Sequence, residues 1–131
     1  MIVVDTSALI AILIGEPETD HFVDTIVLSG DARIGAPTAF EYLMVAKGTR
    51  QLRSDNEVER VLALPRLAIV DWQEGYTKLA QQAFLRFGEG RHPAKLNFGD
   101  CMSYALAKSL NCPLLYKGDD FAQTDIVSAL Q

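Results

Sequence analysis

Cysteine is scarce. Cys101 and Cys112 are the only two in 131 residues, with no CxxC and no Cys/His cluster. That argues against a zinc site. It leaves a disulfide open, although a cytoplasmic chain with reduced thiols is the expectation. Long apolar runs are also missing, so no segment is expected to cross a membrane as a helix. The opening MIVVDTSALIAILIGEPE is apolar, but it lacks a basic leading region and meets Asp5 almost at once. It reads as a first strand and helix, not as a signal peptide. Basic residues are outnumbered, 12 Lys and Arg against 17 Asp and Glu, for a net charge of −5. This argues against holding nucleic acid through a general basic surface, which needs many Lys and Arg contacts to phosphate. It leaves room for an enzyme that gathers acids around a metal ion. Histidine occurs twice, at His21 and His92, without matching partners for a nucleophilic site. No internal repeat, low-complexity tract or linker is visible.

What is present is a chain 49% apolar, enough for the core of one domain spanning residues 1–131 and too short for two ordinary ones. IVVD (Ile2–Asp5) is a short continuous apolar run ending in an acid, as a central parallel strand buried on both faces would be. TSALIAILIG follows as a helix, with Thr6 or Ser7 to cap it and Gly15 and Pro17 to end it. Residues 19–29 read as a helix with Phe22, Val23, Ile26 and Val27 as its apolar stripe. Ala32–Pro37 holds a short strand, and Pro37 opens a helix carrying Phe40, Leu43, Met44 and Lys47. Residues 55–64 form another helix, and Leu67–Val70 a strand ending at Asp71. An amphipathic helix covers 75–87, with Tyr76, Leu79, Ala80, Ala83, Phe84 and Phe87 on its apolar face. A polar loop, GEGRHPAKLNFG, leads to a helix from Asp100 to Leu110. Pro113–Tyr116 is a strand, and Ile126–Val127 a short edge strand. Alternating strands and helices imply a layered α/β domain with a mostly parallel sheet.

Ligands of open parallel sheets bind beyond the carboxyl ends of the strands. Asp5, Asp71 and the pair Asp119/Asp120 fall at that edge, while Glu41 and Asp100 lie near helix starts. Each has an ordinary explanation: an Asp at a helix start is commonly a cap, a Glu on an apolar helix can reach solvent, and Asp71 looks like plain strand-exit chemistry. Convergence of Asp5, Glu41, Asp100 and one of Asp119/Asp120 would be different. Four carboxylates in a small volume repel one another unless a cation compensates. Such oxygen-rich clusters suit Mg²⁺ or Mn²⁺ and phosphodiester hydrolysis.

With these residues in view, the sequence resembles the PIN-domain ribonucleases, and among them the VapC-type toxins of prokaryotic toxin–antitoxin pairs. The resemblance is carried over nearly the whole chain by VVDTSALIAILIGEPE, by Glu41 in TAFEYLMV, by GEGRHPAKLNFGDCMSYALAK and by LLYKGDDFAQTDI. It implies an α/β/α sandwich with a central mostly parallel sheet, whose acids meet around Mg²⁺ or Mn²⁺. It also implies endonucleolytic RNA cleavage, a homodimer and a neutralising antitoxin protein. Carried over residue by residue, Asp5 matches the first-strand acid, Glu41 the helix acid and Asp100 the acid opening the later helix. The last acid falls within Asp119–Asp120. Thr6 matches the hydroxyl beside the first acid, and Ser7 helps orient that pair.

The expected mechanism is metal-assisted hydrolysis leaving a 5′-phosphate and a 3′-hydroxyl. Asp5, Asp100 and Asp120 hold the metal directly or through water, Asp119 either supports those ligands from behind or is a ligand through water, and Glu41 is a ligand or orients the attacking water. Gly118 permits a tight turn before the pair, and burial of Phe121 would fix the direction of Asp120. Asp125 is expected to be a turn or capping residue. Arg91, His92, Lys95 and Lys117 are the candidates for RNA contact, set against the plainer reading of a solvated loop. SALIAIL and the helix at 19–29 offer apolar surface for dimer or antitoxin contacts, unless core packing uses it. Two other classes compete. One is a phosphomonoester hydrolase with Asp5 as an aspartyl nucleophile, although Ser7 stands where such enzymes carry a second acid. The other is a catalytically silent binding module.

Overall fold

The apolar runs settle the layering. In the computed structural model, which describes residues 1–130, strand β1 (Ile2–Val4) is buried throughout and alternates between two cores. Ile2 and Val4 pack into one cluster and Val3 into the other. This is the period-two signature of a strand covered on both faces. Helix α1 (Thr6–Ile14) follows directly, then α2 (Thr19–Ser29), β2 (Ala32–Gly35), α3 (Ala36–Ala46), α4 (Asp55–Leu62), β3 (Leu67–Val70), α5 (Glu74–Phe87), α6 (Phe98–Leu110) and β4 (Leu114–Leu115), with a short 3₁₀ turn at Phe121–Gln123. The sheet order is β3-β2-β1-β4 and every pairing is parallel. One core joins α1, α2, α3 and α4 to the sheet, and the other joins α5 and α6 to its opposite face. The result is the expected α/β/α sandwich. Among the described residues no helix is long and apolar enough to cross a membrane.

The structure differs from the sequence-based expectation at several points. Asp5, not Thr6 or Ser7, caps α1. Helix α6 starts at Phe98, capped by Asn97, so Asp100 lies in its first turn rather than at the cap. On α3 the buried face is Thr38, Ala39, Tyr42 and Ala46, while Phe40 and Met44 are 62% and 54% exposed. Large apolar residues suggested the face; small ones and a tyrosine whose hydroxyl donates to Val58 O at 2.8 Å fill it. The SALIAIL segment is mostly spent in the core through Ala8, Leu9, Ala11 and Leu13. The last strand is two residues long, and the tail joins it by a single parallel bridge at Ser128 instead of a strand at Ile126–Val127. The polar loop before α6 is partly folded, with a bridge from Gly88 to Leu96 and with Ala94 and Leu96 fully buried.

Candidate active site

A carboxylate at the end of a buried strand must be hydrogen-bonded to be tolerated. Asp5 is 3% exposed and is met by three donors. Its Oδ2 accepts from Ser7 N at 3.0 Å and from Ser7 Oγ at 2.7 Å. Its Oδ1 accepts from Ser103 Oγ of α6 at 2.5 Å. Ser7 Oγ in turn accepts from Lys117 N at 3.0 Å. One hydroxyl thus ties the first acid to the segment that leaves β4 and carries Asp119 and Asp120. That segment turns at Gly118, whose φ of 101° suits glycine, and Phe121 behind the acids is buried.

Glu41 enters from α3, which begins where β2 ends. Its Oε1 accepts a hydrogen bond from Thr6 Oγ1. Burial raises its carboxyl pKa above the usual range; the Thr6 bond opposes this, and the charge of Asp5 adds to it. Asp100 closes a capping box: its backbone N donates to Asn97 Oδ1 at 2.9 Å, and Asn97 N donates to its Oδ2 at 3.1 Å. Its carboxyl is pushed up to about 6, first by burial, against the Asn97 bond, and further by the charges of Asp5, Asp120 and Glu41. Asp5, Asp120 and Glu41 are thus near enough at the carboxyl edge of the sheet for their charges to act on Asp100. Asp119 and Asp120 are both exposed. Among the described residues, no three carboxylates are drawn close enough to make a ready cation site.

The basic candidates are less gathered. Lys117 Nζ sits 3.2 Å from Glu16 and 3.2 Å from Glu18, turned to the α1–α2 connection. The guanidinium of Arg91 lies 5.2 Å over the Phe84 ring. His92 packs edge-on against Phe87, and its Nδ1 accepts from Ala94 N at 3.0 Å, which orders the loop. Lys95 is exposed at a φ of 53°. Arg91, His92 and Lys95 line an open hollow to which none of the four acids contributes. Asp71 is exposed at the end of the edge strand. Asp125 lies in a turn, as expected, and does more than shape it. It accepts from Tyr104 Oη at 2.7 Å and pairs with Lys108 at 3.1 Å and Arg86 at 3.3 Å, tying the tail to α5 and α6.

Two participants lie beyond the sequence-based reading: Ser103 and Asn97. Ser103 lies three residues after Asp100 on the same helix, a spacing that places both on one face. Once α6 was recognised as carrying a site acid, that spacing was the available signal. Asn97, three residues before Asp100, is the usual cap pattern read one turn too late.

Comparison with known proteins gives the family of the chain. The model of the PIN domain matches residues 2–127. Ribonuclease VapC36 of Mycobacterium tuberculosis is 38% identical over 125 residues, covering 95% of this chain and 90% of that protein. Ribonuclease VapC28 of the same organism is 36% identical over 129 residues, covering 98% and 97%. A solved toxin–antitoxin complex from Klebsiella pneumoniae contains a chain with the same fold, at a TM-score of 0.70 and 19% identity, covering 100% of this chain and 98% of that one. The chain belongs to the PIN-domain family and, within it, to the VapC ribonucleases, endoribonucleases of the toxin class.

Proposed function

We propose that Asp5, Glu41, Asp100 and Asp120 are the working acids of this ribonuclease and that it hydrolyses RNA with Mg²⁺ or Mn²⁺. The observation that carries the reading is the hydrogen-bond web at the sheet edge: Ser103, three residues from Asp100, and Ser7, which accepts from Lys117 ahead of the acid pair, both hold Asp5, while Thr6 beside it holds Glu41. The donor set is all carboxylate, the chemistry hard divalent cations prefer. The spread of the acids suits an ion that keeps several of its waters, as Mg²⁺ does. Asp5, Asp100 and Asp120 would hold it, with Asp119 reaching it through water. When bound, the cation supplies charge neutralisation at the scissile phosphate and an acidified water.

The chain's own residues do the rest. Ser7 and Ser103 keep the Asp5 carboxylate from turning. Thr6 holds Glu41, whose raised proton affinity suits it to orient the attacking water and accept its proton. Ser7 stands two residues after Asp5, where phosphomonoester hydrolases with an aspartyl nucleophile carry a second acid, which argues against that chemistry. Arg91, His92 and Lys95 form a loop that would bind the RNA backbone beyond the acids. Lys117, already paired with two glutamates, is the weakest of these candidates. An antitoxin protein is the proposed partner, as in the Klebsiella complex. The exposed Phe40 and Met44, one turn apart on α3, are proposed to contact it or a second copy of the chain. The reading places the active chain in the cytoplasm.

The test is cleavage of a mixed RNA substrate, with EDTA and then with added Mg²⁺ or Mn²⁺. Asp120→Asn is expected to lose about a hundredfold or more in rate, and Asp119→Asn no more than a few-fold. Cleavage that persists in EDTA refutes the metal reading. Loss confined to Asp119→Asn reverses the order of the pair.

A further inference from the structure

We infer that Gly99 is a positioning residue: the bare backbone of α6 at this point is the surface against which the Glu41 carboxylate is placed. A Cβ built on Gly99 would lie 2.5 Å from both Cδ and Oε1 of Glu41, and nearer still to Oε2. All three approaches fall below the 3.0 Å that real Cβ contacts respect. Gly99 is buried, and its φ does not call for glycine. Backbone conformation therefore does not explain the residue. In the second position of a helix, alanine would be the better helix former. What a side chain would meet is the carboxylate arriving from α3.

The Glu41 carboxylate is the far end of a flexible side chain and can shift, but only by leaving its hydrogen-bond donor. That donor is the Thr6 hydroxyl, which stands beside Asp5. The carboxylate is thus held between a hydroxyl on α1 and the backbone of α6, one residue from Asp100. A methyl group at position 99 would push it off that hydroxyl and change its distance to Asp5 and Asp100 together. The same glycine lets α3 and α6 approach closely enough for acids from both to share the sheet edge.

This inference rests on the proposed role of Glu41 for its catalytic arm but not for its structural arm, so two measurements are paired. The first is a thermal-unfolding cycle in EDTA on the wild type, Gly99→Ala, Glu41→Ala and the double variant. Gly99→Ala is expected to lower the midpoint in the wild-type background. It should leave the midpoint unchanged or raise it when Glu41 is truncated, because the space is then free. An equal loss in both backgrounds overturns the inference. The second is single-turnover RNA cleavage with Mn²⁺. Gly99→Ala should fall about a hundredfold, the scale of a reacting group displaced by roughly 1 Å. Glu41→Asp, shorter by one methylene, should slow the wild type yet speed the Gly99→Ala enzyme. Absence of that recovery overturns the positioning role. A wild type that cleaves no RNA defeats the proposed function instead, and the thermal cycle still decides the placement of Glu41.

Discussion

Ser103→Ala is the most direct perturbation of the site that leaves every acid in place. Ser103 is 1% exposed and donates to Asp5 Oδ1 at 2.5 Å. Replacing serine by alanine removes one oxygen and leaves almost no cavity, so the cost is that of the hydrogen bond rather than of lost packing. A bond to an ionised acceptor contributes about 1.5–3 kcal/mol, and the acceptor is left buried with one partner fewer. Ser7 still supplies two donors to the other oxygen, which keeps the expected loss near 2 kcal/mol. With an unfolding entropy of about 2.1 cal/mol/K per residue, 131 residues give about 275 cal/mol/K, so the midpoint should drop by about 7 °C. Urea unfolding should show a lower midpoint concentration at unchanged m-value. The same change made on Asp5→Asn should cost only about 1 kcal/mol or less, since the bond is then neutral. A loss under about 0.5 kcal/mol in the wild type, or an equal loss in both backgrounds, would refute the claim that this hydroxyl holds the first acid.

Two further predictions concern charged groups, one in the site and one in the tail. The Asp100 carboxyl titrates at about 6 in the folded chain against an ordinary 3.8. Between those values the folded state binds more proton than the unfolded one, so without metal, stability falls as pH rises through that window. Asp100→Asn should therefore be more stable than wild type at pH 7.5, by about 1–2 kcal/mol once partial exposure is discounted. It should match wild type below about pH 4, and urea titrations across pH check this; equal stability at pH 7.5 would count against the raised Asp100 carboxyl. Asp125→Ala should cost about 1 kcal/mol, more at low salt, by releasing Tyr104, Arg86 and Lys108 together. RNA cleavage by that variant should stay within a few-fold of wild type, because none of the four acids touches this network; a hundredfold loss would place the tail in the reaction.

What the sequence by itself determined is local. The apolar run before Asp5 dictates a strand buried on both sides, because only such a strand can be apolar at every position. Gly118 marks a turn ahead of Asp119 and Asp120, and the strand–helix alternation puts the acids at one edge of a parallel sheet. The tertiary structure decided which groups serve those acids. Ser103 reaches Asp5 across 98 residues. Gly99 meets Glu41 only because α3 and α6 flank the same sheet edge. The inward face of α3 was also beyond local reading. Apolar residues occupy both sides of that helix, and the close approach of α1 and α4 selects Ala39, Tyr42 and Ala46 over Phe40 and Met44. Spacing along a chain reports periodicity and capping. Which donor meets a buried carboxylate depends on elements that come together only after the sheet has ordered them.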